Sequence, residues 1–396
     1  MNHEEYSLDD ILADVEDLLN DAPKQKPQPA FYEEPEEEPG KKGSSVGKVF
    51  AVIGKIFAVL LETVLLIAVA LYGVMFVLAK GPSTTARDIF VMSVRETSAV
   101  GFLANIFFTD EEIAQIESKK DVEDFVETDT SLITITQPTE GEDEGTQNSG
   151  PVADEWGLID EDGDGIIIEP VKGEGYSGYM MVVKDPSRVI MGSVPTSFGG
   201  RGYTVAEMVA QFDAVAGINA GGFYDPDGTG NGSIPETLVV YDGEVYYEGK
   251  GTRAGFVGFD SNYIMHVANT ITSTEIKARD IQYGVCFGPV LVANGEPCDV
   301  NISGVNPRTA IGQRSDGAVL MLVIDGRQVI SLGATHQDLI DIFMDFGAVN
   351  ACNLDGGSST LMWYGGDYVN NCASVVGIRP VPTTFLVLKE GVKQDG

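Results

Sequence analysis

"VNACNLDGGSST", residues 349–360, carries an apolar strand pattern into Asn353, a carboxylate at Asp355, two glycines and three hydroxyls, Ser358, Ser359 and Thr360. The stretch has a relative in the same chain. "TVAEMVAQFDAVAGINAGGF" begins at Thr204 and "THQDLIDIFMDFGAVNACNLDGG" at Thr335. Each opens on Thr-x-x-acid, a capping-box-like helix start. Each then runs through a helical pattern and an Ala-Val pair into a strand that stops at Asn-x-x-Gly. The pair predicts helices at about 204–213 and 336–346 and suggests an internal duplication. A strand that ends on consecutive glycines lets backbone N–H groups face a ligand with no Cβ in the way. Two such ends side by side, Asn219 with Gly221 and Gly222, and Asn353 with Asp355, Gly356 and Gly357, would make a pocket. One such run alone is more often a tight turn.

The surroundings support more than a turn. "NPRTAIGQRSDG" supplies Arg308 and Arg314, and "LVIDGRQ" places Asp325 and Arg327 just past an apolar run. From about residue 156 the chain is a series of short β-rich runs, "YMMVVKD", "TLVVYDGEVYYEG" and "AVLMLVIDGRQ" among them, with Asp-Gly and Asn-Gly dipeptides that read as hairpin turns. The expectation is one α+β domain with a mixed β-sheet over residues 156–396.

The 396 residues carry a net charge of −35, of which −25 lies in residues 1–169. So acidic a chain, with no basic stripe, is a poor partner for nucleic acid. "IFAVLLETVLLIAVALYGVMFVLA", Ile56 to Ala79, is apolar except for Glu62 and is long enough to span a bilayer, which takes about 20 residues. About fifty residues precede it, so it reads as a single transmembrane helix rather than a cleaved signal. Lys41, Lys42, Lys48 and Lys55 before the run outnumber Lys80 and Arg87 after it, which puts the N-terminus in the cytoplasm and the rest outside the cell membrane. The expected layout is a cytoplasmic tail at 1–48, the membrane helix within 49–80, juxtamembrane helices at 81–118, an acidic linker at 119–155 and the domain beyond. Residues 7–19 form an amphipathic helix with no domain to pack on, which fits docking to a cytoplasmic partner.

The four cysteines, Cys286, Cys298, Cys352 and Cys372, lie in the part placed outside, where disulfides are permitted. Cys352, inside an apolar run, is equally readable as a buried free thiol. "DEDGDGIIIE" from Asp160 begins like a calcium loop, but Val171 stands where a bidentate Glu is required. A turn entering a strand is the preferred reading.

With these motifs in hand, the region of roughly residues 170–390 resembles the phosphodiester glycosidases through "INAGGF" (218–223), "GPVLVANG" (288–295), "NPRTAIG" (306–312), "VIDGR" (323–327) and "NLDGGSST" (353–360). One departure is Pro235-Glu236-Thr237-Leu238, where the family often has Pro-x-Gly-Leu. His336 is assigned no catalytic role and reads as a surface residue at a helix start. The resemblance implies hydrolysis of sugar 1-phosphodiester linkages in a surface polysaccharide or other glycan, between anomeric carbon and phosphate oxygen. It makes Asp355 and Asp325 the catalytic carboxylates, with Arg308 on the phosphate and Thr309 among the substrate-binding residues. Asn219, Gly221, Gly222, Asn353, Gly356, Gly357 and Ser358 would hold sugar or phosphate oxygens. No cofactor is required by the motifs; Asp325 and Asp355 leave open a calcium or magnesium ion. A glycan-binding module without activity, an envelope scaffold and a metal-dependent phosphodiesterase are the alternatives.

Overall fold

Hairpins build most of the β structure. In the computed structural model, which describes residues 45–97, 100–117, 127–135, 152–194, 198–225, 231–249, 255–374 and 376–391, the Asp-Gly and Asn-Gly signals fall at chain reversals. Asp242 and Gly243 (φ 52° and 74°) join the strands Val239–Tyr241 and Glu244–Tyr247, and Asn294 and Gly295 (φ 55° and 79°) join Val290–Ala293 and Glu296–Pro297. Positive φ at both central residues matches the twist of the flanking strands. Every described strand pair is antiparallel, where a mixed sheet was expected.

The strands are β1 (Ile166–Gly173), β2 (Tyr176–Val183), β3 (Val189–Ser193), β4 (Ala214–Asn219), β5 (Val239–Tyr241), β6 (Glu244–Tyr247), β7 (Phe256–Asp260), β8 (Met265–Ala268), β9 (Ile281–Cys286), β10 (Val290–Ala293), β11 (Glu296–Pro297), β12 (Arg308–Arg314), β13 (Val319–Ile324), β14 (Ala348–Leu354), β15 (Met362–Tyr364), β16 (Asp367–Tyr368) and β17 (Thr383–Leu388). They form three sheets, in the orders β1-β2-β13-β12-β14-β10-β11, β16-β15-β4-β17-β3 and β6-β5-β9-β7-β8. One face of each sheet meets in a shared core. Met181, Met321 and Leu354 come from the first sheet, Met191, Ile218 and Phe385 from the second, and Val257, Met265 and Val285 from the third.

The opposite faces are covered by helices. Successive strand residues point to opposite sides, so Met180 and Val182 leave the shared core and pack on Leu339, Ile340 and Phe343 of the helix His336–Asp345. Val205, Met208 and Val209 of Val205–Gln211 cover the second sheet through Ile190 and Leu386. Ile276 of the short helix Ser273–Ala278 covers the third through Val240 and Phe256.

These three helices begin alike. Thr204 with Glu207, Thr272 with Glu275 and Thr335 with Asp338 each form a complete capping box. Each helix then turns through one left-handed residue, Asp213, Asp280 or Gly347 (φ 49°, 52° and 74°), directly into β4, β9 or β14. The two units expected from sequence are therefore three, one per sheet. The third has the Thr-x-x-Glu signal, but its strand ends in "CFGP" and lacks the Asn-x-x-Gly that drew attention to the others.

N-terminal to the domain, α1 (Ser45–Lys80) contains a 28-residue apolar stretch, Ile53–Lys80, long and apolar enough to cross a membrane and exposed over most of its length. The chain divides into residues 1–68 and 69–396, with the boundary inside α1. In the second unit, α2 (Thr84–Arg95), a 3₁₀ turn (Gly101–Ile106) and α3 (Asp110–Glu117) enclose a small core of Ala79, Val91, Ala104, Phe108 and Ile113. The expected helix at 7–19 lies outside the described residues.

Two expectations are corrected. Within the stretch taken as a linker, Thr128 exchanges hydrogen bonds with the backbone of Val267, Asp129 N donates to Asn294 Oδ1 at 2.8 Å, and Thr134 N donates to Ser315 O at 2.8 Å. Apolar Ile133 supplies the reason, since it is buried by this docking. His336 is buried rather than on the surface, because the segment around Ser303 lies over it and Ser303 Oγ accepts its backbone N–H. Asp160 to Asp164 form the turn into β1, with Asp160 accepting from Gly163 and Gly165 and Asp164 from Ile166. All four cysteines are free thiols, Cys286 and Cys352 buried.

Candidate active site

Asp355 follows the last residue of β14, and two side-chain amides fix that strand end to the other sheets. Asn219, the last residue of β4, donates from Nδ2 to Asp355 O (2.6 Å), while its Oδ1 accepts from Thr309 Oγ1 (2.9 Å) and Leu361 N (3.1 Å). Asp355 N returns a bond to Ala220 O at 2.9 Å. Asn353 repeats the device toward the third sheet, with Nδ2 on Gly288 O (2.8 Å) and Gly288 N on Asn353 O (3.1 Å). The two asparagines and Thr309 are thus buried fasteners that bring three strand ends to one point. Asn353 Oδ1 and Thr360 Oγ1 are buried there without a partner among the described residues.

The carboxyl group of Asp355 is the electrostatic centre. Desolvation raises its pKa to about 7; Ser359 and Arg379 oppose the rise, and Glu236 and Asp225 add to it. Near neutrality this acid is therefore present in both protonation states, which suits proton transfer. Glu236 is exposed; its backbone N donates to Gly222 O at 3.0 Å, and its carboxylate has no hydrogen bond or ion pair among the described residues. It lies across the other glycine turn, its Oε2 3.5 Å from where a Cβ on Gly222 would stand. Asp225 pairs with Arg379, whose guanidinium sits over the Phe223 ring at 4.9 Å.

The expected cations separate. Arg308 is buried at the start of β12, bonded to Glu96 Oε2 (2.9 Å), Gly304 O and Ala334 O. Arg314, at the far end of the same strand, pairs with Asp154 and Asp316 and stacks on Trp156 at 3.7 Å. Arg327 is the cation beside the glycine loop. Its Nη1 donates to Ser358 Oγ at 3.3 Å, a Cβ on Gly357 would lie 3.3 Å from its Nη2, and it ion-pairs with no carboxylate among the described residues. Burial and the charge of Arg308 lower its pKa. Gly357 N donates to Pro307 O at 2.9 Å, and Gly221 N to Thr383 Oγ1 at 3.0 Å. A side chain on Gly356 would meet Pro307 O at 2.6 Å.

Asp325 follows β13 but is buried, accepting from Asn370 Nδ2 (3.1 Å), Asn371 N (3.0 Å) and Asn371 Nδ2 (2.9 Å). Three donors take most of the lone-pair sites of its two oxygens, and its geometry fixes the 370–371 segment. Sequence reading left Glu236, Asp225 and Arg379 without a role. The one signal available was Glu236, which marks the departure from Pro-x-Gly-Leu.

Residues 212–388 match the family model described as phosphodiester glycosidase. A curated relative from Bacillus subtilis (strain 168), the SPbeta prophage-derived uncharacterized protein YomE, is 32% identical over 195 residues, covering 46% of this chain and 29% of that protein. The chain therefore spans under a third of that relative's length. Among solved structures, the catalytic domain of zebrafish N-acetylglucosamine-1-phosphodiester alpha-N-acetylglucosaminidase, auto-inhibited by its pro-peptide, aligns at TM-score 0.47 and 18% identity over 57% of this chain and 82% of its own. A putative exported protein from Burkholderia pseudomallei aligns at TM-score 0.42 and 18% identity over 54% of this chain and 74% of its own. By the family match, residues 212–388 of this chain are similar to the phosphodiester glycosidases.

Proposed function

We propose that the domain hydrolyses sugar 1-phosphodiesters at the anomeric C–O bond, acting on glycan at the cell surface from a single-pass anchor with a cytoplasmic N-terminus. The carrying observation is the Asp355 carboxyl, with a pKa of about 7 and the open carboxylate of Glu236 as a neighbour. Neutral Asp355 gives its proton to the oxygen leaving with phosphorus. Glu236 takes a proton from the water that adds to the anomeric carbon, so the products are free sugar and a phosphate monoester. The monoester is a weak base, with a second pKa of roughly 6, and needs only modest help from the acid. Arg327 and Ser358 are placed to hold the phosphoryl oxygens. This arrangement requires no metal ion.

The test is turnover of synthetic hexose and N-acetylhexosamine 1-phosphodiesters in oxygen-18 water by the full chain, wild type and Asp355→Asn. Release of sugar carrying the label, by wild type alone, is expected. Label in the phosphate would identify a phosphodiesterase instead. Binding without cleavage by either protein would identify a glycan-binding module.

A further inference from the structure

The hairpin that follows Asp325 breaks the turn chemistry of the rest of the domain. Gln328 and Ser331 exchange backbone hydrogen bonds at 2.9 and 3.2 Å, and Arg327 N donates to Leu332 O at 3.1 Å, so Val329 and Ile330 form a two-residue tip. The other tips of this length, Glu174–Gly175, Asp242–Gly243, Asn294–Gly295 and Gly365–Gly366, each have a glycine at positive φ in second place. Here two β-branched residues stand 100% and 80% exposed, followed by Leu332 at 60%. Neither turn geometry nor packing among the described residues accounts for them. An exposed apolar cluster at the rim of a site marks a surface that meets something apolar.

The position of the hairpin identifies what that is. Its root is held by the segment that leaves the membrane-length helix: Arg327 Nη2 donates to Thr97 Oγ1 at 3.1 Å, Val305 N to Ser93 Oγ at 2.9 Å and Asn306 Nδ2 to Glu96 Oε2 at 3.0 Å. That segment also folds back along the last turns of α1. The Phe107 ring lies 5.5 Å from Tyr72 and 6.5 Å from Phe76, and Lys80 Nζ sits 4.4 Å over Phe108. Phe102, on the 3₁₀ turn between, is 65% exposed. The end of the apolar helix, an exposed phenylalanine beside it and the root of the apolar hairpin thus belong to one packed body.

We propose that the site takes a sugar 1-phosphodiester whose second alcohol is a membrane lipid, and that the Val329–Ile330 tip enters the bilayer surface to receive it. The proposal rests on the glycosidase reading and adds the class of aglycone. Water adds its oxygen to the anomeric carbon and the C–O bond breaks. The lipid keeps the phosphate as a monoester in the bilayer, and the sugar leaves to solvent. The single negative charge of the diester lies at the depth where Arg327, at the hairpin root, meets it.

The test uses the full chain in vesicles with two esters of one sugar 1-phosphate, the methyl ester in solution and a hexadecyl ester in the bilayer. Wild type should cleave the hexadecyl ester at least tenfold faster. The double variant Val329→Ser/Ile330→Ser should lose that advantage and retain methyl-ester turnover. In a separate reading, Ile330→Trp should add a fluorescence component, absent from wild type, that brominated lipid quenches. Equal turnover of both esters by wild type, or an unquenched Ile330→Trp signal, overturns the lipid proposal and leaves the glycosidase reading standing. No sugar from either ester overturns both.

Discussion

Aligned in sequence at their strand-end asparagines, the unit ending at Gly222 and the unit ending at Gly357 set Gly221 against Asp355. The helix starts, left-handed turns and asparagine fasteners correspond, and one position differs in kind. At Gly221 the backbone N–H is taken by Thr383 Oγ1. At Asp355 a carboxyl stands in surroundings that resist its ionisation. The difference teaches that the repeated unit is scaffold, and that the two copies part at one residue, Asp355, placed where three sheets meet.

The largest effect should come from removing that difference. Asp355→Asn is expected to lower sugar release by roughly 10²–10⁴-fold, the usual worth of a positioned acid, while circular dichroism stays that of wild type. Unchanged turnover would dismiss the distinction between the two strand ends. Next, the two fasteners should differ. Asn219→Ala leaves Asp355 O, Thr309 and Leu361 N without their partner and should cost about 3–5 kcal/mol in denaturant unfolding. Asn353→Ala removes one bond to Gly288 O and should cost about 1–2 kcal/mol. Equal costs would mean that the two units are fastened alike.

A smaller effect with the opposite sign concerns stability. Asp355 binds its proton more tightly folded than unfolded. Its favourable contribution is complete below the unfolded pKa of roughly 4 and is lost as pH rises toward about 7. The Asn variant escapes this loss. Its melting temperature should equal that of wild type at pH 3, exceed it increasingly up to pH 7 and stay above it by a constant margin beyond. A gap independent of pH would show that the carboxyl is not desolvated. Smallest are the caps: Thr204→Ala, Thr272→Ala and Thr335→Ala should each cost about 1 kcal/mol, and the three should agree if the units are equivalent.

Much of this scaffold is legible in the chain because its signals are local. Capping boxes need four residues, primed turns need Asp-Gly or Asn-Gly, and the membrane-length run needs only composition. The third unit was hidden because its strand end keeps none of the polar residues that mark the other two. The site is less legible. Glu236, Asp225 and Arg379 come from separate segments that meet only through the sheets, and Asp325 is adjacent in motif but tied to Asn370 and Asn371 by tertiary hydrogen bonds. Arg308 met the same fate, since its partner Glu96 lies 212 positions away.

The docking of residues 127–135 changes what the acidic segment can do. α3 is packed in the juxtamembrane core, that core is bonded to Gly304–Arg308 through Ser93 and Glu96, and Thr128 is bonded to Val267. The stretch from 118 to 126 therefore runs between two anchored points, and so does the stretch from 136 to 151. Doubling the length of such a closed span costs only about 0.6 kcal/mol, so insertions here are places where the chain can lengthen, diversify or accept a tag while the site keeps its address.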